Sequence, residues 1–301
     1  MIPGIDVSHW QGEIDWSEVA RSGVRFVFMK ATEFPTTRTT LYIDVRHYEN
    51  AKGASDNGIH WGAYHFFRTH VDPVIQAQAF VETVGVFNSL PPVLDLEAAG
   101  CKGERLIYKV RQFLDEVERL TNRKPLIYTS PGFWRSYMML ENRKALDWAR
   151  EYPLWMAHYT SLWPAPLYPW AMWQFWQYTD RGKLPGVKTN VDMNWFMGSE
   201  EEMIRRFGIT SKPYQAPVSQ AASASAKGVE MPPLDELELE FEAARGLDPQ
   251  YRGDYQESVP EEKRYFASGR RPSRHSPPSS TEMQWVRSYF VDKAVLEGAA
   301  G

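Results

Sequence analysis

Read from its first residue, the chain alternates short apolar runs with longer amphipathic stretches over about two thirds of its length. The apolar runs are Ile2–Val7, Phe26–Ala31, His60–Phe67, Pro92–Leu96, Pro125–Thr129, Leu154–Tyr159, Met172–Tyr178 and Asn190–Phe196. Each is short enough for a strand, and most are rich in β-branched or aromatic residues. Between them Ser17–Ser22, Tyr42–Asn57, Pro73–Val86, Leu106–Leu120 and Pro131–Leu140 carry apolar residues at helical spacing. Strand followed by helix, repeated, predicts parallel βα units, and eight strands predict closure into a barrel. After Leu154 the strands lie too close together for helices between them. The prediction is therefore an irregular, flattened α/β barrel of the TIM type, regular in its first half and degenerate in its second. An open doubly wound sheet is the alternative, but no Gly-rich phosphate fingerprint follows the first strand, so a dinucleotide site is not expected.

The pattern breaks near residue 210. All tryptophans but Trp285 precede that point. Residues 211–232 read as a flexible linker rich in Ser, Ala, Pro and Gln. Residues 233–301 read as a polar, mostly disordered tail with one or two short helices, around Leu234–Ala244 and Trp285–Lys293. No repeat is evident in the tail, and its partner is left open.

Composition narrows the function classes. The chain of 301 residues is 43% hydrophobic and 14% aromatic, enough for one large domain and an extension. A formal charge of −4 gives no electrostatic case for nucleic acid or an anionic membrane surface. One cysteine, Cys101, allows no internal disulfide framework. No apolar run reaches the roughly 20 residues that span a bilayer. Met1–Ile5 lacks the pattern of a cleavable leader, so export is expected by another route or from a longer precursor.

Four acids fall at predicted strand ends: Asp6 in the first strand, Asp95 and Glu97 in the fourth, and Asp192 in the last. In a parallel barrel the strand ends pool at one mouth, so distant acids meet there. Alternation points Asp95 and Glu97 the same way, with Cα atoms about 6.5–7 Å apart, while Leu96 faces the helix layer. Glycoside hydrolysis needs one carboxyl that delivers a proton and one carboxylate that manages positive charge at the anomeric carbon. Glu97, with the longer reach, is the expected acid, and Asp95 is expected to stay ionised. An isolated Asp-x-Glu more often caps or pairs at a strand end; the convergence with Asp6 and Asp192 is what favours catalysis. Aromatic residues near strand ends, Trp10, Tyr64, Phe66, Tyr128, Trp155, Tyr159 and Tyr178, together with Gln177, are candidates for sugar contacts. Core packing is the ordinary role of any one of them.

Other chemistries are poorly supported. His9 and His65 have no neighbouring His/Cys cluster to complete a metal site, so neither metal nor cofactor is expected. His65 is expected to hydrogen-bond within the mouth or core. Ser8 and His9 are adjacent and face opposite ways, which disfavours a nucleophilic triad. Cys101 has no evident orienting partner. Lys30 and Glu33 are expected to form a structural ion pair.

In order and spacing, these segments resemble the glycoside hydrolase family 25 lysozymes, the Chalaropsis-type muramidases. The resemblance covers about residues 2–198. It rests on Gly4-Ile5-Asp6-Val7-Ser8-His9-Trp10-Gln11-Gly12, Phe28-Met29-Lys30-Ala31-Thr32-Glu33, Gly62-Ala63-Tyr64-His65-Phe66-Phe67-Arg68, Pro92-Val93-Leu94-Asp95-Leu96-Glu97, Leu126-Ile127-Tyr128-Thr129, Leu154-Trp155-Met156-Ala157-His158-Tyr159, Trp176-Gln177-Tyr178 and Val191-Asp192-Met193-Asn194. It implies a (β/α)5(β)3 barrel in residues 1–210. It also implies cleavage of the β-1,4 bond between N-acetylmuramic acid and N-acetylglucosamine in peptidoglycan, at the bacterial wall and by a monomer. Glu97 would be the proton donor, Asp95 its assistant, and Asp6 and Asp192 the rest of an acidic floor. The substrate's 2-acetamido group offers an internal nucleophile. A non-catalytic glycan-binding barrel and a hydrolase of another N-acetylated polysaccharide are the competing readings.

Overall fold

The computed structural model describes residues 1–36, 40–85, 89–139 and 142–210. The chain divides into units Met1–Val218 and Ser219–Gly301. The expected linker at 211–232 and tail helices within 233–301 lie outside the described residues.

The first unit opens with β1 (Ile2–Val7), a 3-10 turn at His9–Gln11 and α1 (Trp16–Arg21). β2 (Phe26–Glu33), the two-residue β3 (Tyr42–Ile43), α2 (His47–Asp56), β4 (His60–Phe66) and α3 (Pro73–Val84) follow. Next come β5 (Val93–Asp95), α4 (Glu104–Thr121), β6 (Leu126–Thr129) and the short α5 (Pro131–Phe133), which passes into a π turn over Trp134–Met138. A 3-10 segment at Arg143–Glu151, β7 (Leu154–Ala157), β8 (Phe175–Gly182), β9 (Val191–Phe196) and α6 (Glu200–Phe207) complete it.

One sheet runs in the order β1-β9-β8-β7-β6-β5-β4-β2-β3, and pairing of β1 with β2 closes eight strands into a barrel. The neighbours from β1 through β2, β4, β5, β6 and β7 to β8 are parallel. β1, β2, β4, β5 and β6 each lead through helix to the next barrel strand, whereas β7 and β8 do not and β9 closes the barrel before the terminal α6, which is the expected (β/α)5(β)3 order. α4 shows why the first half is regular. Leu106, Ile107, Val110, Phe113, Leu114 and Val117 recur every three or four residues and form its buried face. Asn122, in the left-handed conformation, ends it.

β9 departs from the parallel expectation. It is antiparallel to both β8 and β1. No helix separates β8 from β9, so the chain returns as a hairpin rather than a crossover. Its loop is pinned to the segment between neighbouring β1 and α1: Asp15 N–H donates to the Gly186 carbonyl at 2.9 Å. Gly186 has φ +90°, and a Cβ there would meet the Asp15 carbonyl oxygen at 2.4 Å, so glycine is required twice over.

Side-chain alternation fills the barrel in tiers. At the end away from the mouth, Phe26, Phe175 and Phe196 meet Phe207 of α6. Gly4 on β1 makes room there, since a Cβ would lie 2.3 Å from the Phe26 ring. Above them Phe28 stacks on Trp155 at 4.4 Å, and Tyr128 and Tyr64 meet Trp155 edge-on. The topmost tier is polar and forms the floor of the candidate site. The sequence reading missed α6, the 3-10 segment at Arg143–Glu151, and β3, which stands where a helix was expected to start at Tyr42.

Candidate active site

The acids of β1, β5 and β9 meet at one end of the barrel. Asp6 and Asp192 are direct partners across β1 and β9. Asp192 begins its strand rather than ending it, and it reaches the mouth because β9 runs antiparallel. Asp95 ends β5 beside Phe66 of β4 and Tyr128 of β6. Glu97 follows two residues later, half-buried, after Leu96 has continued the pairing by donating to the Tyr128 carbonyl at 2.9 Å. Leu96 is fully buried, as alternation required.

A hydrogen-bond network fixes the floor. Asp6 Oδ2 accepts from Gln177 Nε2 at 2.9 Å and from Asn194 Nδ2 at 2.7 Å. Trp155 Nε1 donates to Asn194 Oδ1 at 2.7 Å. An indole N–H only donates, so it turns the Asn194 oxygen toward Trp155 and the amide nitrogen toward Asp6. Gln177 is oriented in the same way: its Oε1 accepts from the hydroxyls of Tyr128 and Tyr159, both at 2.9 Å. Its Nε2 therefore faces the acids and also reaches Asp192 Oδ2 at 3.3 Å.

Burial of so many acids moves their protonation. Desolvation raises Asp6 to about 6, against the pull of hydrogen bonds from Gln177, Asn194 and Asp192. Asp192 rises well above the usual carboxylate range through burial first, then the charge of Asp6 and a hydrogen bond to it. The two carboxyls, bridged by the Gln177 amide, titrate as one coupled pair. Asp95 also rises well above its usual range, from burial first and the charge of Glu97 second; Lys30 opposes the rise. Burial and the charge of Glu97 therefore work against the ionised state expected of Asp95. At 5% exposure, with Oδ1 lacking a hydrogen-bond partner among the described residues, it is too poorly solvated to hold its charge unaided.

The other predicted residues separate into three groups. Tyr64, Tyr128 and Tyr159 stand among the acids, whose charges, added to burial, hold all three phenols in the protonated form. Tyr159 is 44% exposed and offers an accessible ring beside the floor. Trp10 sits in the turn that follows β1, its ring 4.7 Å from that of His9. Trp155 and Gln177, at 2% and 1% exposure, are not surfaces for a sugar but fasten Asn194 and Asp6 from within. Phe66 is also buried, with the Lys30 ammonium 5.2 Å and the Arg68 guanidinium 4.4 Å from its ring centre. Tyr178 faces away from the mouth: its ring stacks on Trp195 at 5.8 Å and its hydroxyl donates to Met193 Sδ at 3.6 Å. Both partners occupy the strand positions opposite in phase to Asp192 and Asn194.

Asn194 is a site residue that sequence reasoning passed over. Its place two residues after Asp192, on the same strand face, was the available signal. Lys30 and Glu33 form the expected ion pair at 2.5 Å, and Arg68 joins it through Nε at 2.8 Å. His65 belongs to the core, held by Thr32 Oγ1 at 2.8 Å and Gln76 Oε1 at 2.9 Å.

A mouth with these acids, roofed by phenols, matches a known family. The model of glycosyl hydrolases family 25 matches residues 5–187. The chain belongs to glycosyl hydrolase family 25. Among similar proteins, Escherichia coli K12 YegX is 37% identical over 209 residues, covering 67% of this chain and 72% of YegX. Lysozyme M1 of Streptomyces globisporus is 34% identical over 215 residues, covering 67% and 70% respectively. The crystal structure of a bacterial lysozyme from Streptomyces coelicolor superposes with a TM-score of 0.62 at 32% identity, covering 68% of this chain and 96% of that one. As a family 25 member the chain is a glycoside hydrolase, and the (β/α)5(β)3 barrel agrees with these relatives.

Proposed function

We propose that this family 25 hydrolase is an N-acetylmuramidase that cuts the β-1,4 bond between N-acetylmuramic acid and N-acetylglucosamine of peptidoglycan. The observation that carries the reading is the union of Asp6, Asp95, Glu97 and Asp192 in one mouth beside accessible aromatic rings. Relatives named lysozyme support the polymer as substrate. Glu97, half-buried at the lip of β5, acts as the acid that protonates the leaving oxygen. Asp95 lies deeper, and its Oδ1 has no hydrogen-bond partner among the described residues. That oxygen suits the N–H of the sugar's 2-acetamido group. Asp95 as carboxylate orients the amide so that its carbonyl attacks the anomeric carbon, and offsets the charge of the oxazolinium ion that results. The Asp6–Asp192 pair, bridged by Gln177, forms the floor, and Tyr159 and Trp10 offer rings to sugar C–H faces. The enzyme acts at the bacterial wall.

The test is Glu97→Gln on a suspension of purified walls. Clearing falls by three orders of magnitude or more while circular dichroism and thermal unfolding stay native, an estimate from the weight of general-acid catalysis and charge stabilisation together. Wild-type clearing by the variant refutes Glu97 as the acid. Proton NMR of the product first released gives the β anomer for amide participation; an initial α anomer excludes retention.

A further inference from the structure

The Lys30–Glu33–Arg68 cluster is more than a structural ion pair. Lys30 and Glu33 are 6% and 7% exposed, and Arg68 closes the cluster from the segment after β4. Two cations and one carboxylate leave one net positive charge. Glu33 stays ionised: burial would raise it, but Lys30 and Arg68 hold it down to about 2. The surplus charge of the cluster lies beside the mouth. Its position is specific. The Lys30 ammonium and the Arg68 guanidinium both pack against the ring of Phe66, and Phe66 is the strand partner of Asp95. Tyr42 of β3 packs on the same ammonium, at 5.7 Å.

The groups that face Asp95 come from most of the mouth. Glu97 lies on its own segment, Asp6 on β1 with Asp192 paired to it, Lys30 and Glu33 on β2, and the phenols of Tyr64 and Tyr128 on β4 and β6. Of the charged groups that act most strongly on Asp95, Glu97, Glu33 and Asp6 are acids and Lys30 is the cation, so Lys30 favours ionisation, with Arg68 beside it in the cluster. We propose that Lys30, held in place by Glu33 and Arg68, is a positioning residue that acts through space on Asp95, lowering the cost of its negative charge so that Asp95 ionises while Glu97 keeps a proton. The proposal rests on the roles given above to Asp95 and Glu97. It explains why an ammonium is buried beside an acidic mouth, where burial alone disfavours every charge.

The experiment follows the Asp95 carboxyl by 13C NMR of the full chain labelled at aspartate, with Asp95→Asn to assign its signal. Lys30→Met removes the charge and keeps much of the volume. The midpoint of Asp95 moves up by about one pH unit, a tenfold change in proton affinity, and the ionised fraction at fixed pH falls accordingly. Lys30→Arg keeps the wild-type midpoint within a few tenths. Arg68→Gln, at a more exposed position, brings the cluster to zero net charge and moves Asp95 the same way, which secures the test should Lys30→Met not fold. An unchanged or lowered midpoint in Lys30→Met, or in Arg68→Gln in its place, overturns the proposal. In parallel, the acidic limb of kcat/KM on soluble glycan strands moves up with the NMR midpoint. A midpoint that moves while the limb does not upholds the coupling and refutes instead the need for ionised Asp95 in catalysis.

Discussion

Asp6→Asn tests whether the floor acids are strained by their burial. Asp6 is 7% exposed, and burial raises it from 3.8 to about 6. A carboxyl raised on folding contributes stability that is present below its unfolded value and is lost as pH rises through the folded value. For Asp6 the window runs from 3.8 to about 6. At 1.36 kcal/mol per pH unit the loss is about 3 kcal/mol. Asparagine resembles the protonated acid: its oxygen still accepts from Gln177 and Asn194, and its amide faces Asp192. The variant keeps this stability, and removal of one charge also eases Asp192 and Asp95, which both feel Asp6. Urea unfolding of wild type and Asp6→Asn, followed by tryptophan fluorescence from pH 3.5 to 8, reads the difference. The gap between the two free energies widens by about 3 kcal/mol between pH 3.5 and 7 in favour of the variant. Parallel curves refute the reasoning, because Asp6 would then titrate alike in folded and unfolded chains. Glycan cleavage falls in the same variant, a separation of stability from function expected where like charges are crowded for chemistry.

Three further outcomes follow from the geometry. Trp155→Phe leaves Asn194 Oδ1 without its donor in the core, costing about 1–3 kcal/mol, and frees the Asn194 amide to turn from Asp6; kcat drops about tenfold while unfolding stays cooperative, as denaturant melts and steady-state kinetics show. Tyr159→Phe removes one of the two hydroxyls that orient Gln177 but keeps the ring, so it lowers kcat with KM little changed, whereas Tyr159→Ala also raises KM several-fold; equal behaviour of the two variants refutes a role for the ring. Gly4→Ala drives a methyl into the Phe26 ring and costs roughly 1–3 kcal/mol or more in a thermal or urea melt.

The barrel was legible because its signals are local. Short continuous apolar runs and the 3.6-residue stripe of α4 announce themselves within a dozen residues, and the shortage of residues between the later strands pointed to the missing helices. What stayed hidden depends on partners far along the chain. The direction of β9 is decided by which edge it closes, and β3 is only two residues long. The apolar face of α6 is short, with Met203 and Phe207 its buried residues. The four acids could be placed from strand ends, yet their protonation could not, since it arises from burial and mutual charge. The aromatic residues show the limit most clearly. Trp155 and Tyr159 lie four positions apart in the sequence, but one is 2% and the other 44% exposed, and nothing in the local pattern separates them. Tyr178 was misplaced for a different reason: it adjoins Gln177 on β8, and with Gln177 turned into the mouth, alternation sends Tyr178 to the outer face.

The central claim is that the acid-lined mouth cleaves one particular linkage of a glycan. Purified walls digested by the full chain, reduced with borohydride and analysed by mass spectrometry, reveal which sugar bears each new reducing end. The account predicts fragments that end in reduced N-acetylmuramic acid, absent from digests with Glu97→Gln. Fragments ending in reduced N-acetylglucosamine, or soluble products with no new reducing sugar, contradict it.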